Sequence, residues 1–222
     1  AIAGWCHATG YTLTLYADGC ESANVITCNV RQWVLIMTVP ENEHRHFVRW
    51  TDDYTDNPRL VMFTQDTTFT AVFADDPILT LVSSNDNWGK VSGAGQFKPN
   101  WFCEISATAN YGYHFTQWSD GNTDNPRTVW IYQDITLTAE FAPNQYTITT
   151  YAQHGSVNGG GTYDYGTTAT LTATADAHYH FTQWTDGNTD NPRTISIEGD
   201  ATYTAEFKPN SYTITVSTDG YG

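Results

Sequence analysis

The oxygen-bearing side chains of "SDGNTDNPR" (119–127) and "TDGNTDNPR" (185–193) are the first place in this chain to look for chemistry. Asp120, Asn122 and Asp124, and again Asp186, Asn188 and Asp190, alternate as the oxygen ligands of a calcium loop do. The rest of that pattern is missing: no bidentate Glu follows, no Gly holds the sixth position, and a third copy, "TDDYTDNPR" (51–59), has Tyr54 in place of Asn. Ser119 beside Asp120, with His114 nearby, has the residue types of a hydrolase. Yet His46, His114 and His180 recur at one position just before a Phe, and there is no nucleophile elbow, Walker loop or His-Glu-x-x-His. A reaction centre needs several groups converging on one pocket, whereas a set present in every copy is explained by what every copy must do, which is fold. The expectation is a non-enzyme with no metal and no cofactor. Cys6, Cys20, Cys28 and Cys103 include no C-x-x-C pair, so zinc ligation is unsupported.

The architectural reading of the same residues is concrete. Asp-Gly signals a turn, because Gly accepts positive φ and Asp bonds nearby amides. In "DNPR" the residue before Pro is pushed extended and a strand restarts. Asp52, Asp120 and Asp186 each precede an Arg by seven residues (Arg59, Arg127, Arg193), so an ion pair would clamp the two ends of the loop. Trp50, Trp118 and Trp184 stand just before the loops and should be buried, together with Phe73, Phe141 and Phe207 of the recurring Ala-x-Phe, at the centre of three small cores.

These repeats organise the whole chain of 222 residues. An N-terminal segment (1–10) precedes repeat 1 (11–77, divergent in its first half), repeat 2 (78–144), repeat 3 (145–210) and the first strand of a truncated fourth repeat (211–222). Alternation such as "ATLTATA" (169–175) between Gly-, Asn- and Asp-rich turns means half-buried strands, six or seven per repeat. "NGGGTYDYG" (158–166) precedes a strand and lacks Lys, so it is expected to be a hairpin and no phosphate cradle. Aligning the repeats places Leu35, Met37 and Val39 with Cys103, Ile105 and Ala107, and with Ala169, Leu171 and Ala173, all facing inward. Cys103 is then a small buried hydrophobe. Linkers of a few residues, "FAPNQY" and "FKPNSY", imply a rod.

Composition excludes several partners. Nine Lys and Arg against a net charge of −15 leave no basic stripe for nucleic acid or an anionic membrane surface. No apolar run is long enough to span a bilayer. The opening "AIAGWCHATG" shows no signal peptide, as expected of a mature or excised form.

"GGGTYDYGTTATLTATA" and "YHFTQWTDGNTDNPRTISIEGDATYTAEF" resemble the divergent internalin-type B-repeat, or Listeria–Bacteroides repeat, in the form abundant in Bacteroidetes surface proteins. The resemblance covers repeats 2 and 3 and the second half of repeat 1. It implies an all-β tandem array of three small β-sandwich-like modules, alternatively β-grasp-like, with the alternation at 167–175 giving a strand where a grasp fold has its helix. It also implies an exported, extracellular or cell-surface setting, and non-catalytic stalk or spacer modules of an adhesin-like protein flanked by further repeats of a longer parent chain. Related repeats place a cysteine pair in the early hairpin, which implies a Cys20–Cys28 disulfide; pairing of Cys6 with either one is the competing connectivity.

If recurring residues build the scaffold, specific binding belongs to residues found in one repeat only. Trp130 aligns with Met62 and Ser196 and alternates with Val129 and Ile131, so it should face outward. Tyr132, Trp88 (opposite His154) and Trp101 are further candidates. Such aromatics stack on sugars or anchor a host protein, the alternative function; they also suit contacts between successive repeats.

Overall fold

The computed structural model describes residues 11–17, 24–28, 33–40, 42–217 and 219–220, with the backbone path alone at 24–28. Twenty strands and no helix occur among the described residues. Repeat 1 holds β1 (Tyr11–Ala17), β2 (Asn24–Cys28), β3 (Trp33–Ile36), β4 (Arg45–Trp50), β5 (Arg59–Met62) and β6 (Thr67–Asp75). Repeat 2 holds β7 (Ile78–Ser83), β8 (Gly89–Ser92), β9 (Gly95–Gln96), β10 (Trp101–Ala109), β11 (Tyr113–Trp118), β12 (Arg127–Ile131) and β13 (Ile135–Pro143). Repeat 3 holds β14 (Gln145–Ala152), β15 (Gly155–Asn158), β16 (Gly161–Asp164), β17 (Thr168–Ala175), β18 (Tyr179–Trp184), β19 (Arg193–Ser196) and β20 (Ala201–Pro209).

One plan serves all three. A four-stranded sheet runs β2-β1-β6-β4, β9-β7-β13-β11 or β16-β14-β20-β18, and a smaller sheet runs β3-β5, β8-β10-β12 or β15-β17-β19. In repeats 1 and 3 the first and last strands are parallel neighbours at the middle of the larger sheet, and the other pairings described there are antiparallel. The fold therefore answers to both expectations: a grasp-type larger sheet, backed by a second sheet that makes it a sandwich.

The chain divides into two compact units, one of Ala1–Val82, Val91–Ala107 and Trp118–Thr138, the other of Ser83–Lys90, Thr108–Gln117 and Ala139–Gly222. Repeat 1 lies within the first, and its core joins Leu13 and Leu15 of β1 with Val34 and Ile36 of β3, Trp50, Phe63, Ala71 and Phe73. Repeat 3 lies within the second, where Ile148, Ala169, Leu171, Ala173, Trp184, Ile195, Ile197 and Ala205 are the counterpart. Both sheets contribute inward side chains, as a sandwich requires.

Three expectations are corrected. Leu35, Met37 and Val39 face solvent, and Val34, Ile36 and Thr38 face inward. Ile36 precedes Trp50 by fourteen residues, whereas Ile105 and Leu171 precede their Trp by thirteen. That one extra residue, in a run apolar on both faces, inverts the phase read from spacing. "NGGGTYDYG" is not a hairpin: β15 pairs with β17 and β16 with β14, so the chain crosses from one sheet to the other at Gly159–Gly160. Ser211–Val216 forms no strand, and Tyr212, Ile214 and Val216 are exposed. In repeat 3 the equivalent stretch, β14, is held by a last strand of its own repeat.

Candidate functional site: the loop between Trp and Arg

Each loop leaves the larger sheet at its Trp and enters the smaller one at its Arg, so its residues fasten one layer to the other. Trp50, Trp118 and Trp184 are fully buried, and each indole Nε1 donates to a carbonyl inside its own loop: Asp56 at 3.1 Å, Asp124 at 3.1 Å and Asp190 at 2.8 Å. The Trp backbone N–H donates to Tyr54, Asn122 or Asn188, each at 2.8 Å, closing the turn.

The Asp and Arg meet in every copy. Arg59 donates to both Asp52 oxygens at 2.8 Å, Arg127 to both Asp120 oxygens at 3.0 and 2.7 Å, and Arg193 Nη1 to both Asp186 oxygens at 2.9 and 2.8 Å. The guanidinium also lies over the buried indole, with Cζ 5.4 to 5.7 Å from the ring centroids. Arg59 additionally faces Tyr54 at 4.8 Å and Phe69 at 4.2 Å. The cation is thus placed between a carboxylate and ring faces, where a planar delocalised ion fits and an ammonium would not. Hydrogen bonding from the Arg holds the Asp52, Asp120 and Asp186 carboxyls below the usual carboxylate range, and the pairing outweighs their partial desolvation.

In repeats 2 and 3, two side chains of each loop also accept from the loop's own backbone. Asp120 Oδ1 accepts from Asn122 N at 3.2 Å and Asn122 Oδ1 from Asp124 N at 2.8 Å; Asp186 and Asn188 do the same in repeat 3. The calcium-like alternation is therefore a pair of successive Asx turns. Among the described residues no cluster of three or more His, Cys, Asp or Glu could hold a metal ion.

The Asn before each Pro has a role that the residue pattern did not reveal. Asn57, Asn125 and Asn191 precede cis peptide bonds. Each side-chain amide pairs with the backbone of one residue beyond the Arg-paired end of the ladder. Asn57 bonds both N–H and C=O of Thr38 (3.0 and 2.7 Å), Asn125 those of Ala107 (2.8 and 2.6 Å), and Asn191 those of Ala173 (2.9 and 2.7 Å). A side chain here continues the strand ladder by one step. The partner is a backbone eighteen or nineteen residues upstream, and backbone groups leave no mark in a sequence.

The hydrolase-type residues are dispersed. Ser119 Oγ accepts from Thr138 N at 3.0 Å, as Thr51 Oγ1 accepts from Thr70 N at 3.1 Å. The recurring His binds the linker after each repeat: His46 Nδ1 to Asp76 (2.9 Å), His114 to Asn144 (2.8 Å), His180 to Asn210 (3.0 Å). In repeat 1 that Asp76 is buried and also meets Lys98 Nζ at 2.7 Å. Cys103 is half-buried and free, and burial pushes its thiol up. Cys6 and Cys20 lie outside the described residues, and with them the Cys20–Cys28 bridge.

Of the terminal Phe residues, Phe73 and Phe141 are buried. Phe207 is only half-buried, because it forms part of the wall of a surface groove with His154, Thr182 and Glu206. Trp130, Tyr132 and Trp101 are exposed by 53%, 64% and 58%. Trp130 faces Phe102 across β10 and β12 (centroids 5.4 Å apart), and Phe102 stacks on Trp101 at 6.2 Å. Trp88 differs: it is half-buried and stacked on Tyr113 at 5.1 Å, as His154 stacks on Tyr179 at 4.2 Å in repeat 3. Sequence comparison overlooked Trp33, which is 62% exposed and paired with Met62, beside the exposed pair Leu35 and Leu60.

No curated protein matches the chain. The family model for the divergent InlB B-repeat domain matches residues 79–145 and 146–211, each one residue or so later than the boundaries read from the repeats. Repeat 1 falls outside those matches but shares their strand order. Two tandem matches cover more than half of the chain, and the protein belongs to the divergent InlB B-repeat domain family.

Proposed function

We propose that this chain is a non-catalytic spacer, a run of stalk modules in a bacterial cell-surface, adhesin-like protein. B-repeat domains are typical of surface or exported proteins and are not known as enzymes. The observation that carries the reading is that the groups best suited to chemistry are closed on one another in all three copies. Asp meets Arg, Arg meets indole, and Asn meets the neighbouring strand. Interactions that recur at equal spacing in unlike repeats serve folding, and folding is what a spacer must do.

A second reading, a glycan- or host-protein-binding module, has one observation in its favour. The outer face of the smaller sheet carries Trp33, Leu35, Leu60 and Met62 in repeat 1 and Phe102 and Trp130 in repeat 2, with Trp101 stacked on Phe102 at the start of β10, all exposed. Repeat 3 has Thr168, Thr170, Thr194 and Ser196 there. A glycan array and tryptophan-fluorescence titrations, with the intact chain and its Trp130→Ala and Trp33→Ala variants, separate the two. A silent array supports the spacer. Saturable binding lost in either variant overturns it in favour of the second reading.

A further inference from the structure

We propose that repeats 1 and 3 are built to bear tension along the chain, with the parallel pair formed by the first and last strands of each as the clamp that carries the load. This inference rests on the spacer reading and adds to it a mechanical duty.

The geometry comes from where the chain enters and leaves. In repeat 3 it enters at Gln145, the start of β14, and leaves at Pro209, the end of β20. The two strands pair in parallel from Ile148↔Ala201 to Ala152↔Ala205. Because they are parallel, the start of one and the end of the other lie at opposite ends of the ladder. A pull on the flanking chain therefore slides the strands along each other and loads every rung together. Antiparallel terminal strands ending side by side would open one rung at a time. Repeat 1 has the same arrangement, from Leu13↔Thr67 to Ala17↔Ala71.

Two further features direct load into that pair. The strands are inner ones, flanked by β16 and β18 in repeat 3 and by β2 and β4 in repeat 1, so neither can be stripped from a sheet edge first. The linkers are also too short to provide slack. Asn144 alone separates β13 from β14, and only Asp76 and Pro77 separate β6 from β7. Each is fastened to its own unit: Asn144 N donates to Gly112 O at 2.8 Å, and Asp76 N to His44 O at 2.8 Å. Tension thus reaches the terminal strands directly. A fold in which the first strand returns beside the last, across some fifty intervening residues, is slow to form; under shear the same closure resists release.

Single-molecule pulling on the full chain tests this by changing direction and nothing else. Click-chemistry handles at Gln145 and Lys208 load repeat 3 in shear. Handles at Gln145 and Gly199 load the same two strands from one end, as a zipper. Gly199 has no atom within 4 Å of an added Cβ, so a handle fits there; exposed Glu198 serves as a second position if folding suffers, and matching urea midpoints establish that each variant is intact. The expected result is a rupture force several-fold higher in shear, with about 230 Å of chain released at ~3.6 Å per residue. Equal or lower force in shear overturns the clamp. A weak clamp with a silent glycan array removes this inference alone, whereas saturable Trp-dependent binding with a strong clamp removes only the spacer reading.

Discussion

The Asp–Arg–indole arrangement predicts an asymmetry that a simple ion-pair account would miss. In repeat 1 the Arg59 side chain is 3% exposed and the Asp52 side chain 45%. An exposed ion pair contributes at most about 1 kcal/mol; breaking a buried one costs about 3–5 kcal/mol. Asp52→Asn strands a cation that cannot shed its proton, so its cost approaches the buried limit, lowered by the one amide oxygen that remains: about 2 kcal/mol. Arg59→Met leaves a carboxylate that already has much of its surface in water. Met also keeps an unbranched apolar stem against Trp50 and Phe69, so the cost is about 1 kcal/mol. The double variant should match Arg59→Met to within ~0.5 kcal/mol, because Asp52 has no charge left to serve. Asp186→Asn should cost less than Asp52→Asn, since Arg193 is 13% exposed. Urea unfolding read by amide hydrogen exchange, repeat by repeat, is the appropriate assay, because tandem repeats need not unfold together. If Asp52→Asn costs less than Arg59→Met, the cation is not the stranded partner and the argument fails.

Pairing lowers the folded-state pKa of Asp52, Asp120 and Asp186 below the unfolded value, so their stabilisation is complete above about pH 4 and is lost as pH falls through the folded values. A chain with all three changed to Asn should be less stable at neutral pH and show a flatter acid limb; an unchanged acid limb counts against the assignment. Asn191→Ala removes the partners of both Ala173 backbone groups and should cost about 2 kcal/mol in repeat 3. Gly112 has φ +86° and a Cβ there would enter the Tyr165 ring, whereas Gly121 has φ +83° with open space. Gly112→Ala should therefore cost clearly more than the roughly 1 kcal/mol expected of Gly121→Ala, and equal chemical-denaturation midpoints would show that Tyr165 yields. Because Asp120, Asn122 and their repeat 3 counterparts already accept loop amides, calcium and EDTA should leave the melting temperature unchanged; a rise with calcium would reopen the metal reading.

What the sequence disclosed followed from locality. Asp and Arg seven residues apart around a Gly turn are legible as a pair, because the turn itself brings them together. Period-2 alternation announces strands, but not which strand lies beside which: nothing in "YTITTYA" says that its neighbour is "ATYTAEF" in parallel. The Asn191 amide was illegible for the same reason, since its partner is the backbone of β17. The inverted phase at Leu35 has another cause. "WVLIM" is apolar on both faces, so burial could not be read from pattern there, and the spacing borrowed from the other repeats was one residue short.

That ambiguous run separates scaffold from specificity. Val34, Cys103 and Ala169 occupy one inward position of the smaller sheet, and Ile36, Ile105 and Leu171 another; all are apolar, and their sizes vary within what a small core can repack. The outward positions beside them are Trp33, Phe102 and Thr168 on one strand, and Met62, Trp130 and Ser196 on the other. Repeat 3 shows that Thr and Ser suffice there for the same strand order, so the fold does not require the aromatics of repeats 1 and 2. An exposed Trp or Phe has no folding reason to replace Thr. Replacing Trp33, Phe102 and Trp130 by Thr should therefore leave stability within ~0.5 kcal/mol per site. Any larger loss would mean that the outer face also belongs to the scaffold, and would leave the binding reading without its single support.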